Sequence, residues 1–116
     1  MGSTGKVRLA CVGLGYWGPN LLRNFSANPD CELVLACDKD EKVRAKIRAG
    51  NPGVKLGTDL SEALADPSIQ ALVLATPAAF HFEHVKAGLE AGKHVFVEKP
   101  LALSLRDAKE LAALAR

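Results

Sequence analysis

The sequence has no long hydrophobic run and no strong excess of charge of either sign. A membrane-spanning helix needs roughly 18 or more consecutive apolar residues, so none is predicted. Fifteen basic residues against thirteen acidic ones give a formal net charge of +2, which is too balanced to indicate a nucleic-acid or anionic-membrane partner. The first ten residues also lack a secretory hydrophobic core, so we expect a cytoplasmic protein with a short flexible lead-in.

Cysteine is scarce, and Cys11, Cys31 and Cys37 form no Cys-x-x-Cys motif. That spacing argues against a zinc site or a thioredoxin-like redox pair, and we expect no bound metal. Cys11 and Cys37 fall in apolar runs, which indicates small buried hydrophobic residues in a reducing compartment. With 48% hydrophobic residues in 116, the chain can bury a core without disulfides or metal.

Apolar runs alternate with helical patterns along the chain. Strands are predicted over Val7–Val12, 32–37, 54–56, 71–75 and 94–97, and helices over 19–27, 41–49, 60–65, 80–91 and from 105 onward. Asp40, Asp59 with Glu62, and Ser104 with Asp107 are the expected N-caps. The last helix carries Leu105, Ala108 and Leu111 on one face.

The central strands read as continuous apolar runs, which is typical of a parallel sheet covered by helices on both faces. Right-handed crossovers then favour one doubly wound α/β domain over residues 1–116, with about five strands. We see no linker, repeat or low-complexity segment within it.

The segment GLGYWG, residues 13–18, separates the first strand from the first helix. This G-x-G-x-x-G spacing in a strand–turn–helix context is typical of Rossmann dinucleotide sites. Gly13 permits the tight turn, Gly15 lets the pyrophosphate approach the backbone, and Gly18 lets the helix pack closely. The helix N-terminus offers N–H groups to the phosphates, so we expect NAD(P) on this loop.

Asp38 ends the second strand, 20 positions beyond Gly18. An acidic side chain at this place hydrogen-bonds the adenosine ribose, and such a charge-assisted bond is worth about 1.5–3 kcal/mol. It also repels a 2′-phosphate, which favours NAD over NADP, although the nearby Lys39 and Arg44 keep NADP open. The alternative is that the glycines are turn residues and that Asp38 caps a turn.

Two further segments follow strands at the edge of the sheet where ligands bind. Thr76-Pro77 follows the fourth strand with His81 close behind, and Glu98-Lys99-Pro100 follows the fifth. Taken alone, these residues fit equally well as a helix-entry turn, a surface histidine and a solvated ion pair of little energetic value.

Three stretches resemble the glucose–fructose oxidoreductase and inositol 2-dehydrogenase (Gfo/Idh/MocA) family: VGLGYWGPNLLRNF, ACDKD and LVLATPAAFHFEHVKAGLEAGKHVFVEKPLA. The resemblance runs from about Val7 to the C-terminus, and Glu98-Lys99-Pro100 is its most specific part. The form GYWGPNLLRNF resembles the branch that contains sugar-nucleotide dehydrogenases, such as those oxidising the 3-hydroxyl of UDP-N-acetylhexosamine derivatives.

The resemblance implies that one set of residues contacts the dinucleotide: Gly13, Gly15, Tyr16, Trp17, Gly18, Asp38, Thr76, Pro77, His81, Glu98, Lys99 and Pro100. Within that set, Glu98 binds the nicotinamide ribose, and Lys99, the catalytic residue, reaches the reacting hydroxyl or the nicotinamide region. Pro100 often follows a cis peptide bond. The stretch 78–80, Ala-Ala-Phe, departs from the family, whose members often carry a small hydroxyl residue shortly before the histidine.

The resemblance also implies hydride transfer between a nicotinamide cofactor and a sugar, polyol or nucleotide-sugar hydroxyl. In the family, the acid–base group and most substrate contacts come from a second α/β domain. We therefore expect a truncated oxidoreductase chain that binds NAD(H) without turnover, with a naturally minimal five-stranded domain as the alternative. An exposed fifth strand would favour a homo-oligomer.

Two other functions stay open at this point. One is a stand-alone NAD(H)-binding or redox-sensing module. The other is methyl transfer from S-adenosylmethionine, which also uses a glycine loop and an acid after the second strand; the Glu98-Lys99-Pro100 segment argues against it.

Overall fold

The computed structural model describes residues 6–14, 18–97 and 101–116. Five parallel strands form one sheet in the order β3-β2-β1-β4-β5. The strands are β1 Val7–Val12, β2 Cys31–Cys37, β3 Lys55–Gly57, β4 Ala71–Leu74 and β5 His94–Val97. The helices are α1 Gly18–Ala27, α2 Glu41–Gly50, α3 Leu60–Ala65, α4 His81–Glu90 and α5 Leu105–Leu114, with a 3-10 turn over Ala78–Phe80. The doubly wound α/β fold is thus confirmed.

Strand β1 lies at the centre of the sheet and contributes side chains to two separate hydrophobic cores. Ala10 and Val12 belong to one cluster, together with buried residues of α3, α4 and α5. Leu9 and Cys11 belong to the other, together with residues of α1 and α2. Because successive strand side chains point to opposite faces, the part of a strand that is covered on both faces is apolar at consecutive positions, as residues 9–12 are. This double burial explains the continuous apolar runs of the sequence.

The predicted N-caps are present. The side chains of Asp40 and Ser104 accept backbone N–H groups two and three residues further on, at 2.9 and 3.1 Å. Helix α3 begins with a capping box of Asp59 and Glu62, in which the Glu62 carboxylate accepts the Asp59 N–H at 3.1 Å. Backbone N–H groups of Thr58 and Asp59 lower the pKa of Glu62, because they stabilise its charged form.

Most element bounds differ from the sequence-based expectation by no more than one residue, and the following differences bear on the sheet edge, the exit of β4 and the packing of α5. Strand β3 is displaced by one residue, because its pairing with β2 begins at Leu35 opposite Lys55. Strand β4 ends at Leu74. Leu105 does not share the buried face of α5: Leu111 is 1% exposed and Leu105 is 71% exposed.

The described helices include none long and apolar enough to cross a membrane.

The three cysteines are free thiols, and Cys11 and Cys37 are buried in strands β1 and β2. Burial is the largest cause that raises the pKa of each of these two thiols to about 12. Since the thiolate is the reactive form, burial disfavours the reaction of both groups in the folded chain. Their predicted role as small buried hydrophobic residues is confirmed.

We expect a thiol reagent at mildly alkaline pH to modify Cys31 rapidly in the folded chain and to spare Cys11 and Cys37. Cys31 is partly exposed at the start of β2. Colour release from Ellman's reagent measures this, with denatured chain as the reference for all three thiols. Rapid reaction of a Cys31→Ser variant under native conditions would contradict the account.

Gly13 directly follows β1 and has a left-handed backbone conformation, with φ of +85°. A Cβ placed there would lie 2.7 Å from the Thr76 backbone N and 2.8 Å from Thr76 Cγ2. The exits of β1 and β4 therefore approach too closely for any side chain. Gly92 has a similar φ of +78°, but nothing lies within 4 Å of its Cβ position.

These two glycines form a matched pair for a stability test. Gly92→Ala should cost about 1 kcal/mol of unfolding free energy, since only the left-handed conformation is penalised. Gly13→Ala should cost about 1–3 kcal/mol more, because the clash with Thr76 is added. Urea unfolding of both variants measures the difference, and equal losses would refute the close approach as the reason for Gly13.

Candidate functional site

The carboxyl ends of β1, β2, β3 and β4 open into a cleft of about 380 Å³, here called the central cleft. Strands β2 and β3 lie on one side of β1 and β4 on the other, so their exit loops separate above β1. Ligands of open parallel sheets bind at this kind of switch point. The described residues that line the cleft are Val12, Gly13, Cys37, Asp38, Lys39, Thr58, Asp59, Leu60, Thr76, Pro77, Phe80, Glu83 and His84.

The Asp38 carboxylate joins the exit of β2 to the start of residues 13–18, here called the glycine segment. Its Oδ2 accepts the Leu14 N–H at 2.7 Å, and its Oδ1 accepts the Asp40 N–H at 2.8 Å. The Gly13 N–H donates to the Cys37 carbonyl at 2.9 Å and completes the junction. A carboxylate has about four lone-pair directions, so both oxygens retain capacity for a ligand's hydroxyl groups.

Carboxylates outnumber cations on the described walls of the central cleft. Asp38, Asp59 and Glu83 line it together with one ammonium group, that of Lys39. Arg44, the other basic residue that the sequence suggested, donates from Nη1 to the Asp38 carbonyl oxygen at 2.7 Å. The arginine thus supports the backbone of the β2 exit.

Two histidines of α4 hold the exit of β4 through Thr76. Nε2 of His81 lies 2.8 Å from the Thr76 carbonyl oxygen, and Nδ1 of His84 lies 3.0 Å from Thr76 Oγ1. The His84 ring stacks against Phe80, with ring centroids 5.8 Å apart and an interplanar angle of 19°. Burial is the main cause that lowers the pKa of His84, which favours its neutral ring at physiological pH.

The structure brings four of the predicted site residues together in the central cleft: Gly13, Asp38, Thr76 and Pro77. His81 lies behind the wall of the cleft and is 2% exposed, so the alternative of a surface histidine is wrong. The backbone of Gly18 begins α1, directly after the glycine segment. The other predicted residues lie outside the described part of the chain: Gly15, Tyr16, Trp17, Glu98, Lys99 and Pro100.

Sequence reasoning did not select Phe80 and His84 as parts of the site. Their spacing of four residues, which places them on neighbouring turns of a helix, is the signal that would have found them. Thr58 and Asp59 were also missed as lining residues, because Asp59 was interpreted only as the N-cap of α3.

Comparisons with known proteins agree with this geometry. Residues 7–116 match the GFO_IDH_MocA family model, described as an oxidoreductase family with an NAD-binding Rossmann fold. The scyllo-inositol 2-dehydrogenase (NAD(+)) of Bacillus subtilis is 39% identical over 106 residues, which cover 90% of this chain and 31% of that protein.

Two solved structures show the same fold at a similar identity. GenD2 from gentamicin A biosynthesis, in complex with NAD, superposes with a TM-score of 0.88 at 38% identity, covering 95% of this chain and 31% of that one. Biliverdin reductase from Synechocystis sp. PCC 6803, in complex with biliverdin and NADP+, superposes with a TM-score of 0.88 at 34% identity, covering 95% and 34%.

The chain spans about a third of the length of these relatives. Its match to the family model nevertheless covers nearly every residue, and it includes all five strands and the central cleft. The chain therefore belongs to the Gfo/Idh/MocA oxidoreductase family, as an NAD-binding domain of Rossmann fold.

Proposed function

We propose that the chain holds NAD for an oxidoreductase that transfers a hydride to or from the hydroxyl-bearing carbon of a sugar, polyol or nucleotide sugar. The observation that carries this proposal is the Asp38 carboxylate, which is hydrogen-bonded to Leu14 of the glycine segment and lines the central cleft. It stands where a Rossmann site requires an acid for the adenosine ribose.

The described residues fit a dinucleotide. Gly13 allows the exits of β1 and β4 to pack closely, because Thr76 occupies the position that a Cβ would take. The backbone of Gly13 and Leu14 is hydrogen-bonded to Cys37 and Asp38 at the exit of β2. Helix α1 begins at Gly18, and a helix N-terminus directs unpaired N–H groups and a partial positive charge at a pyrophosphate. We assign the pyrophosphate to residues 13–18 and the adenosine ribose to Asp38.

The charges of the cleft support NAD in preference to NADP. A 2′-phosphate on the adenosine ribose would stand beside Asp38, with Asp59 and Glu83 in the same cleft. Arg44 is already bound to a backbone carbonyl, which leaves Lys39 as the cation on the described walls. Like charges at such short range oppose binding.

Hydride transfer itself is proposed from the family. Bound NAD supplies the hydride acceptor, and NADH the donor. By resemblance, Glu98 binds the nicotinamide ribose, Lys99 reaches the reacting hydroxyl, and Tyr16, Trp17 and Pro100 contact the dinucleotide. The B. subtilis relative, a scyllo-inositol dehydrogenase, supports a polyol-type substrate.

Because the relatives are about three times as long as this chain, we propose that substrate contacts and the acid–base group come from a further domain. The 116-residue chain should then bind NADH without oxidising substrates. Steady NADH formation by this chain with inositol, glucose or a UDP-sugar would overturn that part of the proposal.

Asp38→Ala should weaken NADH binding by about 10- to 100-fold, which corresponds to the loss of charge-assisted hydrogen bonds to the ribose. NADPH binding should fall less, because the repulsion of the 2′-phosphate is lost at the same time. Calorimetric titration with both cofactors measures the ratio of their affinities. If Asp38→Ala also loosens the glycine segment, the affinities for both cofactors fall alike. The ratio of the two affinities therefore reports on the ribose contact.

Asp30→Ala is the matched control for this experiment. Asp30 is an exposed aspartate in the turn between α1 and β2, at the opposite edge of the sheet. Its removal should leave both affinities unchanged. Equal binding of NADH and NADPH by the unmodified chain would contradict the role assigned to Asp38.

We further propose that the 116-residue chain self-associates through β5 and through Leu103 and Leu105, which lie just before and at the start of α5. Strand β5 is the last strand of the sheet, and Leu103 and Leu105 are 68% and 71% exposed. Edge strands and apolar patches favour association. Light scattering should show dimers or larger species at high concentration, and Leu103→Asp with Leu105→Asp should shift them toward monomer. A monomeric unmodified chain would contradict this.

A further inference from the structure

One wall of the central cleft is aromatic. Phe80 ends the 3-10 turn after β4, and His84 lies on the first turn of α4. Their rings stack at 5.8 Å between centroids, and both line the cleft. Phe80 nevertheless remains 48% exposed, so a large part of its ring is open to a ligand.

The Phe80 ring is held in place from behind. Its stacking partner His84 is fixed by the 3.0 Å contact between Nδ1 and Thr76 Oγ1, and Thr76 in turn packs against Gly13. Because the orientation of this wall is set before any ligand arrives, a flat ligand would lose little further side-chain freedom on binding to it.

The opposite wall comes from the exits of β2 and β3, which contribute Lys39, Thr58 and Asp59. Since β1 separates these exits from that of β4, the space between the walls is a slot above β1. Asp38 lies in the same cleft. A group attached to a ribose held at Asp38, on the side away from the glycine segment, would enter this slot.

We propose that Phe80 binds the adenine ring of the dinucleotide by stacking, and that His84 is a positioning residue that holds the Phe80 ring parallel to the base. This rests on the proposed function, which puts the adenosine ribose at Asp38. A purine has two flat faces and carries no charge, so it matches an aromatic wall in a cleft lined by carboxylates. Stacking on aromatic side chains is a general way in which proteins bind bases.

The test compares the affinities of NADH and ADP-ribose, which both carry the adenine ring. Phe80→Leu keeps an apolar side chain but removes the aromatic face, and it should weaken both ligands about 10-fold. Phe80→Tyr should restore both affinities to within about 3-fold. Phe96→Leu is the matched control, because Phe96 is 49% exposed and stacks edge-on with Phe25 outside the cleft; it should change neither affinity.

The positioning role of His84 has its own comparison. His84→Ala should weaken both ligands, and His84→Phe should recover binding because it returns a ring beneath Phe80. As a direct readout, nuclear Overhauser effects should connect adenine H2 or H8 with the ring protons of Phe80 and should be absent in Phe80→Leu.

The outcomes separate the two proposals. If the unmodified chain binds NADH and ADP-ribose but Phe80→Leu binds them equally well, the adenine assignment is wrong and the proposed function stands. Equal weakening by His84→Ala and His84→Phe would refute the positioning role. If the unmodified chain binds neither ligand, both proposals are overturned.

Discussion

The hydrogen bond from the Leu14 N–H to the Asp38 carboxylate connects the two halves of the site. It is 2.7 Å long, and it joins the glycine segment after β1 to the exit of β2. The same carboxylate also accepts the Asp40 N–H, which is at the N-cap of α2. One charged side chain thus fixes the loop that is assigned to the pyrophosphate and stands where the adenosine ribose is expected. The fold therefore positions the negative charge before any ligand binds, which is the condition for selective recognition.

On the other side of β1, Gly13 and Thr76 connect the glycine segment to the exit of β4. The Thr76 backbone lies so close to Gly13 that any residue with a Cβ would clash with it. Thr76 also contacts His81 and His84 of α4. Each wall of the central cleft is consequently tied to the buried sheet rather than to a free loop. In this NAD-binding domain, these short contacts decide where the polar groups of the central cleft lie.

The sequence was sufficient to predict the strands, the N-caps and the position of Asp38, because each depends on local pattern. Double burial makes a strand continuously apolar, and caps need one side chain beside a helix start. The roles of His81 and His84 could not be separated in this way. Helix α4 follows the 3-10 turn over Ala78–Phe80; it buries His81 and places His84 on the wall of the cleft. The prediction that Leu105 shares a buried face with Leu111 was wrong, since α5 is buried through Leu111 and Leu105 is exposed.

The central claim is that the dinucleotide binds at the junction of Gly13, Leu14 and Asp38. Titration of the isotopically labelled chain with NADH, followed by amide NMR spectroscopy, tests it directly. The account predicts saturable shifts of the Gly13, Leu14 and Asp38 amides, with those of Gly53 and Gly92 unchanged. Absence of saturable shifts at the junction, or shifts confined to residues remote from the central cleft, would contradict it.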